Sequence, residues 1–333
     1  MKKNMFLLSA LIAMISCSES NRSSDLSSES TPYVTKVLEY LPAPGQYTNL
    51  MPAYEQGDSQ EEMNAKVLEY IGNNAQQTIT LGGYGGYVVV GFDHTIENVE
   101  GMCDFRVRAN AYYAEAADGS AAGGSCEPGV IMVAYDANNN GVADDEWYEI
   151  AGSSHIDHIS EEWYATAVAA GNDVNFYSDY QIIYSKPQEE PSDVSQYATY
   201  IKWSDNRGQE GYIPKSSYHT QSYYPEWIDS SEITFSGSRL PQNGIDSSGS
   251  GSNYLLYKFQ YGYADNATND SDESAIDIGW AVDSSGNSVL LEGVDFIKIY
   301  TGVNQVNGWF GECSTEISGV EDLHLLGVEI FSL

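Results

Sequence analysis

From Thr78 to the C-terminus, the chain consists of short runs of β-branched and aromatic residues separated by Gly, Asn and Ser. Clear examples are GYVVVGF, GVIMVAYD, SEITFSGSRL and DFIKIYTG. Runs of this length between turn residues are typical of β-strands, and no helical period intervenes that could supply crossover connections. The pattern therefore predicts an all-β fold, and we expect a β-sandwich of jelly-roll type.

One short helix is predicted near the N-terminal end of this domain, in the segment GDSQEEMNAKVLEYIGNN. Ser59 and Glu62 have the spacing of a capping box, and Gly72 ends the apolar period. No linker interrupts residues 33–333, so we expect them to form a single ligand-binding domain. The apolar residues expected on one face of the helix are Met63, Val67, Leu68 and Ile71.

Residues 1–16 have the features of an export signal, because a basic pair precedes a short apolar run. The run ends in Ser before Cys17, which resembles a bacterial lipobox and predicts cleavage before Cys17 and lipid attachment to its thiol. A secretory signal with an incidental cysteine is the alternative. Residues 17–32 are rich in Ser and acidic residues, so they are expected to form a disordered tether.

The chain carries a formal net charge of −34, which excludes a nucleic-acid partner because phosphates would be repelled. Acidic residues directly after the lipidated cysteine resemble the surface-export signal of Bacteroidota lipoproteins. We therefore expect the protein on the outer surface of the outer membrane. Its contact with the membrane would be through the lipid anchor alone.

The segment YDANNNGVADDEWYEI, residues 135–150, has the ligand spacing of a calcium loop. It has Gly141 at the sharp turn, but Trp147 stands where an EF-hand has its bidentate Glu, and the flanks are typical of strands. We therefore expect a stabilising structural calcium site and no helix-moving sensor. A hairpin turn without metal is the alternative. The expected ligands are the side chains of Asp136, Asn138, Asn140 and Asp144 and the carbonyl of Val142.

Three cysteines remain besides Cys17: Cys103, Cys126 and Cys313. In the oxidising setting of an exported protein, one pair can form a disulfide. Cys103 and Cys126 flank a predicted hairpin and are the pair we expect to be bridged. Three buried free thiols are the alternative.

Aromatic residues concentrate in two predicted loops, SSYHTQSYYPEWID and QVNGWFGE. Exposed aromatic side chains on loops suit stacking on a sugar or on the flat face of a corrin ring. The alternative is that they close the ends of the sandwich as part of the core. The candidate ligand-binding residues are Tyr218, Tyr223, Tyr224, Trp227, Trp309 and Phe310.

No nucleophile elbow, Cys/His pair or HExxH motif is present, so we expect a protein without enzymatic activity. A carboxylate pair of the glycosidase type stays open in so acidic a chain.

Three long segments of the chain are LGGYGGYVVVGFDHTIENVEGMCDFRVRANA, CEPGVIMVAYDANNNGVADDEWYEIAGS and WAVDSSGNSVLLEGVDFIKIYTGVNQVNGWFGECSTEISGVEDLHL. Together they resemble one family of Bacteroidota cell-surface lipoproteins, often labelled "cell surface protein" or "PKD domain-containing protein". Members of such families are encoded beside outer-membrane corrinoid uptake genes. The resemblance implies capture of a small ligand, first cobalamin or another corrinoid, for a partner outer-membrane transporter. The alternatives are a carbohydrate-binding surface protein and a structural or adhesive surface protein.

Overall fold

The computed structural model of the protein describes residues 30–115 and 121–333, and most of their regular structure is β-strand. The strands are β1 Lys36–Leu41, β2 Ile79–Thr80, β3 Tyr87–Glu97, β4 Phe105–Ala109, β5 Tyr112–Glu115, β6 Ala121–Ser125, β7 Gly129–Ala134, β8 Trp147–Ile150, β9 Tyr177–Ser185, β10 Ile201–Asp205, β11 Glu210–Ile213, β12 Glu232–Arg239, β13 Gly244–Asp246, β14 Tyr254–Leu256, β15 Ala275–Ile276, β16 Ala281–Val282, β17 Gly293–Thr301 and β18 Glu316–Asp322. The helices are α1 Gln60–Ile71, α2 Ser153–Asp157 and α3 Tyr164–Ala170. Short 3-10 turns span His158–Ser160, Val194–Thr199, Asp272–Ser274, Ile278–Trp280 and Gly308–Phe310.

The strands form three larger antiparallel sheets and two hairpins. A six-stranded sheet has the order β1-β3-β17-β7-β8-β16, and two four-stranded sheets have the orders β15-β4-β18-β2 and β11-β10-β9-β12. Strands β13 and β14 form one hairpin, and β5 pairs with β6. The predicted all-β class is thus confirmed.

The six-stranded sheet is apolar on both faces. Along β7, Ile131 and Val133 point into a core shared with the β15-β4-β18-β2 sheet and helix α1. The intervening Val130 and Met132 pack into a second core, which holds the tyrosines of the β11-β10-β9-β12 sheet. Because side chains alternate along a strand, a continuous apolar run such as GVIMVA satisfies both cores. The β11-β10-β9-β12 sheet is therefore a third sheet, which packs on the six-stranded sheet through the second core.

Helix α1 lies where the sequence predicts it. The Glu62 amide donates to Ser59 Oγ over 3.3 Å, and the Ser59 amide donates to Glu62 Oε2 over 2.7 Å. Two further short helices, α2 and α3, follow β8. Both are short and neither has a side-chain N-cap, so the sequence carries no start signal for them.

The N-terminal boundary of the folded unit lies slightly before the expected one. Thr31–Leu333 is one compact unit, and the Pro32 carbonyl already accepts a hydrogen bond from the Asp322 amide over 2.8 Å. Cys17, the predicted export signal and the predicted tether up to residue 29 lie outside the described residues. Within 30–115 and 121–333, none of the helices has the length and apolar character that a membrane span needs.

The expected Cys103–Cys126 disulfide is not present, and Cys103, Cys126 and Cys313 are all free and buried. Cys103 packs with Leu323 and Ile330 in a small apolar cluster. The Cys126 thiol instead donates to the Tyr112 carbonyl over 3.8 Å. The two thiols thus have separate partners, and the alternative of buried free cysteines describes the structure.

Candidate functional site

A pocket of about 740 Å³ opens among the loops that carry several of the predicted aromatic residues. Tyr218 and His219 reach it from the connection between β11 and β12. Trp309 and Phe310 reach it from the 3-10 turn between β17 and β18. Residues far apart in the sequence thus meet at one cavity.

The rim of the pocket is aromatic and open to solvent. Tyr218 is 88% exposed, Trp309 is 64% exposed and Phe310 is 36% exposed. The rings of Trp309 and Phe310 stack with centroids 4.1 Å apart, and Tyr47 meets His219 edge to face at 4.8 Å. Exposure of aromatic side chains to water is unfavourable for the folded protein. A cluster of such exposed side chains is typical of a binding site.

The turn that presents Trp309 and Phe310 is fixed by its flanking residues. Gly308 has a φ of 60° and Gly311 a φ of 93°, a region that side chains with a Cβ rarely adopt. The Asn307 amide donates to the Gly311 carbonyl over 2.7 Å, and Trp309 Nε1 donates to the Ser252 carbonyl over 3.1 Å. The side-chain amide of Gln46 also donates to the Phe310 carbonyl. The two rings are therefore held at the rim.

Three of the six candidate aromatic residues are not exposed. Tyr223 and Tyr224 are buried in the second core. Trp227 is half-buried against the first core and stacks with Tyr40 and Tyr54, with centroids 5.9 and 6.2 Å away. For these three the expectation of ligand-exposed loops was wrong, and they belong to the core. Their hydrogen-bonding groups reach partners within the fold, which makes burial of Tyr and Trp favourable.

Tyr223 still contributes to the pocket indirectly. Its hydroxyl accepts a hydrogen bond from the Ser216 amide over 2.9 Å, and Ser216 lines the cavity two residues before Tyr218. The Tyr223 amide in turn donates to the Tyr200 hydroxyl over 3.2 Å. The buried tyrosine thus supports the loop whose next aromatic residue is exposed.

The floor of the pocket is acidic, and sequence reasoning missed it. Glu127, Glu312 and Glu316 line the same cavity, and Glu312 and Glu316 are buried. The Ser314 amide donates to Glu127 Oε1 over 3.0 Å, and Ser314 Oγ donates to Glu316 Oε1 over 2.7 Å. Thr80 Oγ1 also donates to Glu316 Oε1, over 3.2 Å. The floor is therefore held together by hydroxyl and amide donors.

A fourth carboxyl group, that of Asp265, lies directly beneath the floor. Asp265 Oδ2 accepts from the Glu316 amide over 3.0 Å, and its carbonyl accepts from the Glu127 amide over 3.0 Å. The side-chain amide of Asn110 lies between two carboxylates. In one orientation it donates to Glu316 Oε2 over 3.4 Å, and in the other it donates to Asp265 Oδ1 over 3.1 Å.

Burial makes these carboxyl groups hard to ionise. Burial, with a small contribution from the charge of Glu316, raises the pKa of Glu312 to about 8. Burial also raises the pKa of Glu316 to about 7. The pKa values of Glu127 and Asp265 lie well above the usual range, first because of burial and then because of the neighbouring Glu316. Perturbed carboxyl groups in a cleft are typical of functional sites.

The acidic floor has no basic counterpart in the described part of the chain. No Lys or Arg side chain there forms an ion pair with Glu127, Asp265, Glu312 or Glu316. Among the described lining residues, His219 at the rim is the only basic side chain. Glu312 is 4% exposed, and its Oε2 has no hydrogen-bond partner among the described residues.

The predicted calcium loop lies elsewhere and none of its residues lines this pocket. Asp136 is buried, and its carboxylate accepts from the amides of Asn140 over 3.0 Å and Gly141 over 2.7 Å. Asn140 Oδ1 accepts from the Val142 amide over 2.7 Å. These side-chain-to-backbone hydrogen bonds hold the loop closed. They are compatible both with a cation site and with a polar hairpin turn that binds no metal.

The remaining expected ligands of the loop are exposed. Asn138 and Asn140 donate to Asp144 Oδ1 over 3.4 and 3.2 Å. In the ranges that the structure describes, no group of three His, Cys, Asp or Glu side chains is arranged to hold a metal ion. Structural calcium at this loop stays a prediction.

Comparison with known proteins adds no relative: no protein-family model matches the chain, and no curated protein matches it significantly. The resemblance to Bacteroidota surface lipoproteins therefore stays a prediction too.

Proposed function

We propose that this protein is a non-enzymatic, lipid-anchored surface protein that captures a small ligand in the aromatic–acidic pocket. By this name we mean the cavity with Tyr218, Trp309 and Phe310 at its rim and Glu127, Glu312 and Glu316 at its floor. The proposal includes delivery of the ligand to an outer-membrane transporter. One observation carries the binding function: exposed aromatic residues from two distant loops converge on a single concave site.

The dimensions and chemistry of the pocket support this function. Its volume of about 740 Å³ falls within the roughly 300–1,000 Å³ of small-molecule sites. The rim offers ring faces for stacking, and the floor offers oxygen atoms that accept hydrogen bonds. A purely structural or adhesive protein would have no need for a concave site of this kind, so the pocket weighs against that alternative.

Two ligand classes are proposed, one from the family resemblance and one from the chemistry of the pocket. Cobalamin or another corrinoid is the first candidate because of the family resemblance, and its amide groups could donate to the floor while the corrin stacks at the rim. A carbohydrate is the second candidate. Sugars present an apolar face to Trp and hydroxyl donors to carboxylates, which are the two surfaces of this pocket.

A hydrolase is the one enzymatic candidate that a specific observation favours. Glu312 and Glu316 are buried carboxyl groups whose pKa values are raised to about 8 and about 7, as a general acid requires. Incubation with the oligosaccharides that bind, followed by analysis of reducing ends, tests this candidate. Hydrolysis of the oligosaccharide would replace the proposed binding function with an enzymatic one. Recovery of the intact oligosaccharide would support the binding function.

Calorimetric titration of the purified protein with cyanocobalamin tests the proposal. We expect saturable binding in the micromolar range or tighter, weakened at least about tenfold by Trp309→Ala. Tyr212→Ala is the matched control, because Tyr212 is exposed on β11 and does not line the pocket. Absence of binding to cyanocobalamin and to a glycan array would contradict the proposal.

A further inference from the structure

We infer that Asp246, which does not line the aromatic–acidic pocket, positions Trp309 for ligand binding through the loop of residues 247–252. The inference rests on the proposed binding function and adds a positioning residue to it. It follows from the hydrogen bonds that join Asp246 to this loop, and from two contacts between the loop and the turn that carries Trp309.

The loop of residues 247–252 has the sequence SSGSGS, and every one of its residues is exposed. Gly249 has a φ of 65° and Gly251 a φ of 76°, so the backbone turns sharply at both. A segment of Ser and Gly has no apolar side chain to pack, and it is flexible unless hydrogen bonds hold it. The conformation of this loop therefore depends on its polar contacts.

Asp246 supplies the central contacts from the end of β13, where the pairing of β13 with β14 fixes its position. Its Oδ1 accepts from the Ser248 amide over 3.0 Å, and its Oδ2 accepts from the Gly251 amide over 2.6 Å. The Ser248 hydroxyl donates to Asp246 Oδ1 over 2.5 Å. The oxygen of that hydroxyl accepts in turn from the Ser250 and Ser252 amides, each over 3.2 Å. One carboxylate thus organises the loop, as Asp side chains do in tight turns.

The loop meets the rim turn at two consecutive carbonyl groups. Trp309 Nε1 donates to the Ser252 carbonyl over 3.1 Å. Gly308 lies so close to the loop that a Cβ there would overlap the Gly251 carbonyl oxygen. The bond to Ser252 fixes the direction of the indole N–H, and therefore the orientation of a ring that is 64% exposed. A ring held in place before the ligand arrives loses less freedom on binding, which strengthens the affinity.

A double-mutant cycle tests the inference by calorimetric titration with cyanocobalamin, or with the tightest glycan from an array if cyanocobalamin does not bind. We expect Asp246→Ala to weaken binding by about threefold or more. In a Trp309→Phe background the same substitution should cause at most about a twofold loss, because Phe has no N–H to donate to Ser252. Asp246→Asn keeps one acceptor oxygen and should lose less affinity than Asp246→Ala.

The mobility of the Trp309 ring provides a readout without ligand. The chain has six tryptophans, so the fluorescence of each protein is compared with that of its Trp309→Phe counterpart to isolate Trp309. Asp246→Ala should lower the anisotropy of this difference signal, because the ring then rotates more freely.

Asp283→Ala is the matched control, because Asp283 begins a turn with the same first four residues, DSSG. Asp283 Oδ1 accepts from the Ser285 and Asn287 amides over 2.8 and 2.9 Å, and none of these residues lines the pocket. The control should change neither the affinity nor the anisotropy.

Four results would overturn the inference: equal affinity of Asp246→Ala and the wild type, the same loss of affinity in both backgrounds, the same loss in Asp283→Ala, or an unchanged anisotropy. If the ligand binds, and Trp309→Ala weakens binding while Asp246→Ala does not, the proposed function stands and the inference alone fails. A wild type that binds neither cyanocobalamin nor any glycan contradicts both together.

Discussion

The backbone amide of Glu316 donates a hydrogen bond to Asp265 Oδ2 over 3.0 Å, so two buried acidic residues from distant parts of the chain are joined directly. The same Asp265 accepts the Glu127 amide at its carbonyl. Three segments of the chain therefore place their carboxyl groups in one small volume. This arrangement contributes to the raised pKa values at the floor of the pocket and underlies the first prediction.

The stability of the protein should fall as the pH rises from about 5 to about 8. The pKa of Glu316 is raised to about 7 and that of Glu312 to about 8, from an ordinary value of 4.5. Folding therefore takes up protons. The contribution to stability is fully present below the unfolded pKa and is lost as the pH rises through the folded values. Urea denaturation at pH 5 and pH 8 should show a loss on the order of a few kcal/mol.

Glu312→Gln isolates the contribution of the pocket, because His94 and His324 also have raised pKa values and lose stability in the same direction. The variant should lose less stability than the wild type between the two pH values. An unchanged pH dependence in the variant would contradict the assignment. The titratable groups that interact with Glu312 are Glu127, Glu316, Tyr47, Tyr184, Tyr223 and Cys313.

Gly311→Ala should weaken ligand binding as well as stability. Its φ of 93° is unfavourable for alanine, and the added Cβ would lie 2.9 Å from Gln46 Nε2, which holds the Phe310 carbonyl. We expect about 1–3 kcal/mol of destabilisation and displacement of the rim. Gly57→Ala is the control, since Gly57 has a φ of 101° with no atom near its Cβ position. Equal binding by the two variants would show that the turn does not position the rim.

Calcium should stabilise the loop that begins at Asp136. At a hundredfold excess over its dissociation constant, a bound ion adds about 2.7 kcal/mol. Asp144→Asn removes the charge of an expected ligand and should abolish the rise in melting temperature that calcium causes. Asp145→Asn is the matched control at the adjacent acid. A wild-type protein indifferent to calcium, or the same rise in both variants, would refute the prediction.

Three thiols should react in the denatured protein once Cys17 is replaced by Ser. Cys103, Cys126 and Cys313 are free, and burial raises their pKa values, that of Cys103 to about 12. Reaction with a thiol reagent should therefore be slow in the native state and complete in denaturant. A single reactive thiol in non-reducing denaturant would reveal the disulfide that the structure lacks.

Cys17 should carry the lipid that holds the protein at the membrane. Metabolic labelling with palmitate should mark the wild type, and Cys17→Ser should remain unlabelled and leave the membrane fraction. Cys103→Ser should keep the label, because Cys103 is buried in the folded domain. Membrane attachment of an unlabelled wild type would contradict the lipoprotein prediction.

Local patterns predicted the strands and helix α1 because those elements depend on nearby residues. The run in β7 and the capping box of Ser59 and Glu62 are visible in the sequence alone. The sequence does not indicate the third sheet, because a continuous apolar run does not say which partner covers each face. Tyr223 and Tyr218 illustrate a second limit. Both stand in one tyrosine-rich loop, and only the tertiary fold buries one and exposes the other.

The acidic floor lay beyond sequence reasoning for a different reason. Glu127, Asp265 and Glu316 are three acids among the 48 of the chain, and nothing in the residues around them marks their shared position. The antiparallel pairing of β18 with β4 and β2 brings Glu316 into place. The Gly129–Ala264 bridge brings Glu127 beside Asp265. Only these long-range pairings create the site.

The most direct test of the account is a crystal structure of the protein with the tightest ligand from the titrations. The account predicts ligand density between the Trp309 ring and the carboxylates of Glu312 and Glu316. Density at another surface, with the aromatic–acidic pocket containing only water, would contradict the central claim.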